Sequence, residues 1–263
     1  MKNKDLHPAI RSEMRKSPRG FTLVDTLVTL AIVAILISIL LPSLSGVREA
    51  ARRVVCASNV RQIGLGVTMY ADDYRDRLPP SVFAPDPNDE DSVNNESNPA
   101  EMMTMRLQTS DLESDKDKHW DGIGLLFATD YLPAPKLFYC PSHHGDHPYL
   151  NYVSAWMNPG RDRIVSNYHY RGIGNNGEPL LYMSQVDPAS TILLSDGMRL
   201  VSDYNHRKGA NTFRADNAVI WVSDPSGILA GIMAQNESEA NDRAKMPRQW
   251  QFLENGNRGE APR

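Results

Sequence analysis

At 263 residues and a formal net charge of −4, the chain is long enough for one or two domains with a sizeable core. The charge is unevenly spread: residues 1–19 hold Lys2, Lys4, Arg11, Arg15, Lys16 and Arg19 against Asp5 and Glu13, which leaves the remainder at about −8. A body that acidic lacks the basic footprint of nucleic-acid binding, so no nucleic-acid partner is expected.

The basic arm should hold its end of the chain in the cytoplasm. It runs into GFTLVDTLVTLAIVAILISILL, residues 20–41, which from Phe21 onward is interrupted by Thr22, Asp25, Thr26, Thr29 and Ser38. About twenty apolar residues, at about 1.5 Å each, suffice to cross a hydrocarbon core of about 30 Å. Hydroxyls in such a helix return their hydrogen bonds to the backbone one turn back and cost little. Asp25 differs, because a carboxylate one turn into a membrane helix is expensive and marks function. The plain alternative is a signal anchor whose Asp25 lies close enough to one end to stay wet. No A-x-A pattern follows the apolar run, as a secretory signal would require, and the breaker at the basic edge is Gly20.

Arg19-Gly20-Phe21-Thr22-Leu23-Val24-Asp25 resembles the processing site of type IV pilins and type II secretion pseudopilins. The resemblance implies a basic leader, residues 1–20, removed by a prepilin peptidase that cuts after Gly20 and methylates the new N-terminal Phe21. It also makes Asp25 the acidic residue of the motif, where the family usually has glutamate. In relatives that carboxylate pairs with the terminal amine of a neighbouring subunit, a sound arrangement because either charge left alone in a poorly screened site is costly. Aspartate is one methylene shorter.

Pro42 follows the apolar run, and in a helix interior it removes a backbone hydrogen bond and kinks or locally melts the helix. The helix either ends there or continues. Helical spacing resumes through Leu44, Val47, Ala51, Val54 and Val55, so one helix is predicted from about Phe21 to about Tyr74, bent near Pro42 and loosened near Gly64 and Gly66. Residues 42–78 would be its amphipathic half, stopped by Pro79 and Pro80. A proline at this depth, and a first helix half in the membrane and half on a sheet, also resemble pilins. The run REAARRVVCASNVRQIGLGVTMYADDYRDRLPP, from Arg48 to Pro80, is similar to a large pseudopilin-like group common in planctomycetes and verrucomicrobia.

Residues 79–118 read as a flexible loop rich in proline, asparagine and acid. Asp111, Glu113, Asp115 and Asp117 alternate as in a calcium loop, but lack its glycine and its bidentate glutamate, so a solvated acidic face is preferred to calcium. Residues 119–233 read as a globular head. A short helix is expected over Gly122–Leu132, capped by Asp121, with strands at Leu137–Cys140, Ile164–Gly172, Leu180–Val186, Thr191–Ser195 and Ala218–Ser223. A helix followed by short strands predicts an α+β fold, with a small antiparallel sheet packed on the long N-terminal helix, and the resemblance makes that fold pilin-like. Residues 234–263 read as a polar, disordered tail, in which Trp250 and Phe252 are the residues that could dock on the head.

Three constellations have candidate chemistry. His206 and Asp216, with nine residues between them and Asn217 next, resemble the H-x9-D-G element of that pseudopilin-like group, with asparagine in place of glycine. They read either as a base with its orienting carboxylate or as a turn fixed by their mutual hydrogen bond; the turn is preferred, since Ser195-Asp196-Gly197 lacks the G-x-S-x-G pattern of a nucleophile. No enzyme is expected. Cys140, His143 and His147 have metal-ligand spacing and are weak zinc candidates beside the simpler reading of a polar loop. Cys56 and Cys140 permit a disulfide, with two buried thiols as the alternative.

The resemblance then implies a structural subunit, major or minor, of a type II secretion pseudopilus or type IV pilus-like filament. Its partners would be the prepilin peptidase, other pilin-like subunits, an inner-membrane assembly platform and membrane lipid, with the head periplasmic or extracellular. The alternative is a membrane-tethered surface protein, binding a ligand or metal, that uses a pilin-type signal.

Overall fold

The computed structural model describes residues 20–84, 98–108, 120–157, 162–172, 174, 180–240, 242 and 245–257. The leader before Gly20 and the acidic run Asp111, Glu113, Asp115 and Asp117 lie outside the described residues. The chain divides into two compact units, residues 1–47 and 48–263.

Helix α1 spans Leu23–Asp73 and is assigned without a break through Pro42, Gly64 and Gly66. It stops before the prolines. Asp76 N donates to the Ala71 carbonyl at 2.8 Å while Arg75 takes φ +57°, a left-handed stop built without glycine.

The second unit is α+β. Strands β1 (Thr104–Arg106) and β2 (Ile164–Val165) form an antiparallel pair. Strands β3 (Tyr168–Tyr170), β4 (Ile192–Asp196), β5 (Gly209–Arg214) and β6 (Val219–Ser223) form a second sheet in chain order, with every neighbouring pair antiparallel. Short helices α2 (Gly124–Ala128), α3 (Val153–Met157), α4 (Ile228–Ile232) and α5 (Glu237–Ala240) fill the connections, and α6 (Lys245–Asn257) closes the described chain.

Strand alternation divides the core in two. Phe213 and Val219 pack with Cys56, Ile63 and Val67 of α1. Ala210 and Val222, on the other face, pack with Trp250 and Leu253 of α6. Glycine is what lets the first layer close: a Cβ on Gly64 would collide with the Phe213 ring, so the ring lies directly against the helix backbone. The expected loosening at Gly64 is therefore replaced by close approach.

Several expectations are corrected. The predicted tail contains α6, whose Met246, Trp250 and Leu253 fall at i, i+4 and i+7 and are buried. Part of the predicted loop 79–118 is core, because Met102 and Met103 before β1 and Met105 within it are buried. The stretch expected as a strand at Leu137–Cys140 begins instead with a 3-10 turn, Pro135–Phe138, since proline opens it. Leu180–Val186 supplies one bridge, Tyr182 to Arg77, and a 3-10 turn at Met183–Gln185. Asp121 does not cap α2; its carboxylate accepts from Ser81 Oγ and Val82 N, each at 2.7 Å, and burial pushes its pKa up to about 6.

Candidate functional site

The first turn of α1 is built by a reciprocal cap. Thr22 N and Oγ1 donate to Asp25 Oδ2 at 3.0 and 2.8 Å, and Asp25 N donates back to Thr22 Oγ1 at 3.2 Å. An acid at this position also meets the positive end of the helix dipole. The T-x-x-D spacing that produces it is readable in the sequence once the helix start is known. Beyond it, Leu23–Leu41 is unburied, long enough and apolar enough to cross a membrane, which is consistent with membrane anchoring.

From Glu49 onward, one side of α1 is held to the head by a series of polar contacts. Glu49 Oε1 accepts from His206 Nδ1 at 2.7 Å, and Ser142 Oγ donates to the same carboxylate. Burial works to raise the Glu49 pKa, but the hydrogen bonds from His206 and Ser142 hold it below the usual carboxylate range. The Arg53 guanidinium lies 4.4 Å above the Trp221 ring centroid, a cation–π contact. Cys56 is bonded to Cys140, with Cα atoms 5.4 Å apart. Asn59 Nδ2 donates to the Tyr139 carbonyl and the Tyr168 hydroxyl at 3.3 and 3.1 Å. Thr68 Oγ1 donates to Asn217 Oδ1 at 2.8 Å.

His206 and Asp216 are not brought together. His206 reaches Glu49 through Nδ1, while Nε2 faces Cys140 Sγ at 3.7 Å and Asp196 Oδ2 at 3.6 Å. Asp216 instead accepts from Arg214 Nε and Nη2 at 2.9 and 2.6 Å and from Ala218 N at 3.1 Å, and the Arg214 bonds hold its carboxyl low. The reason is geometric. The two residues sit beyond opposite ends of β5, an extended strand, so nine intervening residues separate them rather than pair them. Asn217 takes φ +67° at the hairpin turn, the left-handed conformation that asparagine tolerates.

The suggested zinc set is also taken apart. Cys140 has its sulfur in the bridge. His143 Nδ1 donates to Asn205 Oδ1 at 2.8 Å, and its Nε2 accepts from His147 N at 3.3 Å. His147 Nδ1 lies 2.6 Å from the Tyr152 hydroxyl. Burial lowers the pKa of both histidines.

Asp196 is fully buried at the end of β4. It accepts from Asn211 N and Nδ2 at 2.6 and 3.1 Å, and burial pushes its pKa up to about 6 against the opposing influence of His206. Asp196 faces His206, so alternation along β4 turns Ser195 to the other face, and no Ser/His/Asp triad forms. Glu49 escaped sequence reading because an acid between the apolar positions of an amphipathic helix looks solvated; nothing local marks its partner 157 residues away.

Comparison with known families gives two matches. Residues 45–200 match the family described as "Protein of unknown function (DUF1559)", and residues 15–41 match the "Prokaryotic N-terminal methylation motif". The second match makes the N-terminus type IV pilin-like, and that motif implies processing by prepilin peptidase and assembly with other pilin subunits. No curated protein and no solved structure matches.

Proposed function

The chain belongs to the DUF1559 family, and on that premise we propose that it is a structural subunit, major or minor, of a type II secretion pseudopilus or type IV pilus-like filament. The single observation that carries this reading is the helix of the N-terminal motif. Leu23–Leu41 is unburied within its own chain and begins three residues after Gly20. Such a surface has two places to go, lipid or identical helices, and filament assembly exchanges one for the other.

In this reading prepilin peptidase cuts between Gly20 and Phe21 and methylates the Phe21 amine. Before cutting, the basic leader stays cytoplasmic, the helix crosses the inner membrane once, and the head lies on the far side. Asp25 then meets the new amine of a neighbouring subunit, leaving its cap to Thr22 for a full charge pair. Pro42 softens the helix at the end of the apolar run. In this reading the head supplies the filament surface, and Glu49 of α1 holds its His206 and Ser142.

Mass spectrometry of the N-terminus in the native cell tests the reading. A mature chain starting at methylated Phe21 is the expected result, and Gly20→Ala should leave the full-length precursor in the membrane. A mature protein that keeps its first nineteen residues would overturn it.

A further inference from the structure

The Cys56–Cys140 bridge lies inside a set of groups that a disulfide does not need. The sulfurs of Cys56 and Cys140, one carboxylate oxygen of Asp196 and one ring nitrogen of His206 all lie within 4.8 Å of one another, and all four residues are buried. They arrive from separate parts of the fold: α1, the segment after the 3-10 turn at Pro135–Phe138, the end of β4, and the approach to β5. A bridge alone would be as well served by apolar neighbours, and burying a carboxylate and an imidazole beside it carries a desolvation cost.

From this geometry we infer that reduction of the bridge creates a metal site, with Cys56, Cys140, His206 and Asp196 as the four ligands of a thiophilic divalent cation such as zinc.

Distances support four-coordination. Ligand bonds of about 2.0–2.3 Å place the corners of a tetrahedron roughly 3.3–3.8 Å apart. His206 Nε2 already stands 3.7 Å from Cys140 Sγ and 3.6 Å from Asp196 Oδ2. The sulfur pair alone is closer than a tetrahedral edge, because it is bonded. Reduction removes that restraint.

The surroundings support it as well. Glu49 accepts the Nδ1 proton of His206, which leaves Nε2 as the nitrogen facing the two other ligand types. A carboxylate behind a histidine is the usual second partner of a metal-bound imidazole, fixing its tautomer and raising its basicity. Ser142 N donates to Cys140 Sγ at 3.4 Å, a contact that favours a thiolate. Asp196 is fully buried, with Oδ2, the oxygen facing His206, also accepting from Asn211, and with no hydrogen-bond partner at Oδ1. Two thiolates with one imidazole and one carboxylate suit zinc in preference to magnesium or calcium, which prefer oxygen ligands.

The redox step balances simply. A dithiol supplies two electrons and two protons and leaves as its own disulfide; the Cys56–Cys140 bond breaks to two thiols. The cation then displaces both protons as the thiolates bind. Helix α1 and the head stay joined in either state, by a covalent bond under oxidising conditions and by the metal under reducing ones.

The test uses the full chain in detergent, reduced with a dithiol that is then removed under anaerobic conditions, and Co2+ as the probe. Expected is one Co2+ per reduced chain, with the intense visible bands of a tetrahedral ion and thiolate-to-cobalt charge transfer, displaced by Zn2+. The oxidised chain should show neither. Asp196→Asn and Glu49→Gln should each weaken binding by about tenfold to a hundredfold, while His143→Gln leaves it unchanged. Circular dichroism confirms that each variant is folded, and only folded variants are compared. Pale octahedral cobalt, an unchanged affinity in folded Asp196→Asn and Glu49→Gln together, or a reduced chain that takes up no cobalt would each overturn the inference.

Discussion

Asn217, at the tip of the β5–β6 hairpin, accepts a hydrogen bond from Thr68 on α1 at 2.8 Å while its own backbone sits at φ +67°. Beyond the other end of β5, His206 binds Glu49 of the same helix at 2.7 Å. The stretch from His206 to Asn217 is therefore a strap laid along α1, anchored at both ends, with Asp216 serving the turn rather than pairing with His206.

The two demands on Asn217 separate by substitution. Glycine meets the backbone requirement and loses the bond to Thr68; alanine loses the bond and is strained as well. Asn217→Gly should therefore cost under about 1 kcal/mol, and Asn217→Ala roughly 1–3 kcal/mol. Denaturant unfolding of the two variants checks the order. Equal losses would mean that conformation plays no part.

Gly64→Ala should destabilise the chain although alanine is the better helix former by about 1 kcal/mol. The new methyl meets the buried Phe213 ring, and overpacking of this kind costs about 1–3 kcal/mol. Phe213→Leu is itself destabilising, yet it should relieve part of the Gly64→Ala loss. A double-mutant cycle reads this directly: a coupling energy near zero would show that the ring does not set the limit.

What sequence reading captured and missed follows the range over which each feature is encoded. The Leu23–Leu41 stretch, the end of α1 near Tyr74 and the turn at Asn217 depend on neighbours a few residues away, and each was legible. Of the core role of α6 only the docking of Trp250 and Phe252 was legible, because its apolar residues stand among Lys245, Arg248, Gln251 and Glu254 and their helical spacing is masked by polar composition. Arg171 shows why that composition misleads. It is buried against the Trp250 ring and paired with Glu254, so part of the helix's polarity faces inward. The cluster around His206 was illegible for a stronger reason, since Glu49, Cys140 and Asp196 reach it from three distant segments.

Two buried groups should give stability opposing responses to acid. His169 is fully buried, donates through Nε2 to the Pro99 carbonyl at 2.9 Å, and has its pKa pushed down by burial to about 4. The fold thus favours its neutral form, and that stability is lost as pH falls from about 6.5 toward 4. Asp121 behaves in the reverse sense: with its pKa raised to about 6, the fold favours the protonated acid, and stability is lost as pH rises from about 4 to 6. Each effect has a ceiling of about 3 kcal/mol. Asp121→Asn should gain most over wild type at pH 7 and little at pH 4, leaving a curve that falls more steeply in acid. His169→Gln, which keeps a donor for Pro99, should flatten that fall. Urea midpoints between pH 4 and 7 measure both, and parallel curves for wild type and Asp121→Asn would refute the Asp121 assignment.

Asp25 offers a separation of charge from capping. Within its own chain the carboxylate is satisfied by Thr22 N and Oγ1, so capping alone accounts for an acceptor at this position. Asparagine retains an acceptor for the Thr22 backbone N–H and removes the charge; Thr22→Ala removes the hydroxyl half of the cap and leaves the charge. If filament assembly depends on an ion pair with a neighbour's amine, Asp25→Asn should fall as far as Asp25→Ala, while Thr22→Ala assembles with only a modest loss. If Asp25 serves the helix start alone, Asp25→Asn should resemble wild type and Thr22→Ala should be impaired. The ratio of processed subunit in sheared filaments to that in the membrane distinguishes the two patterns, because all three variants keep Gly20 and Phe21 for the peptidase. Lengthening the side chain is the decisive third case: Asp25→Glu retains the charge with one more methylene, and under the ion-pair reading it should assemble at least as well as the natural residue.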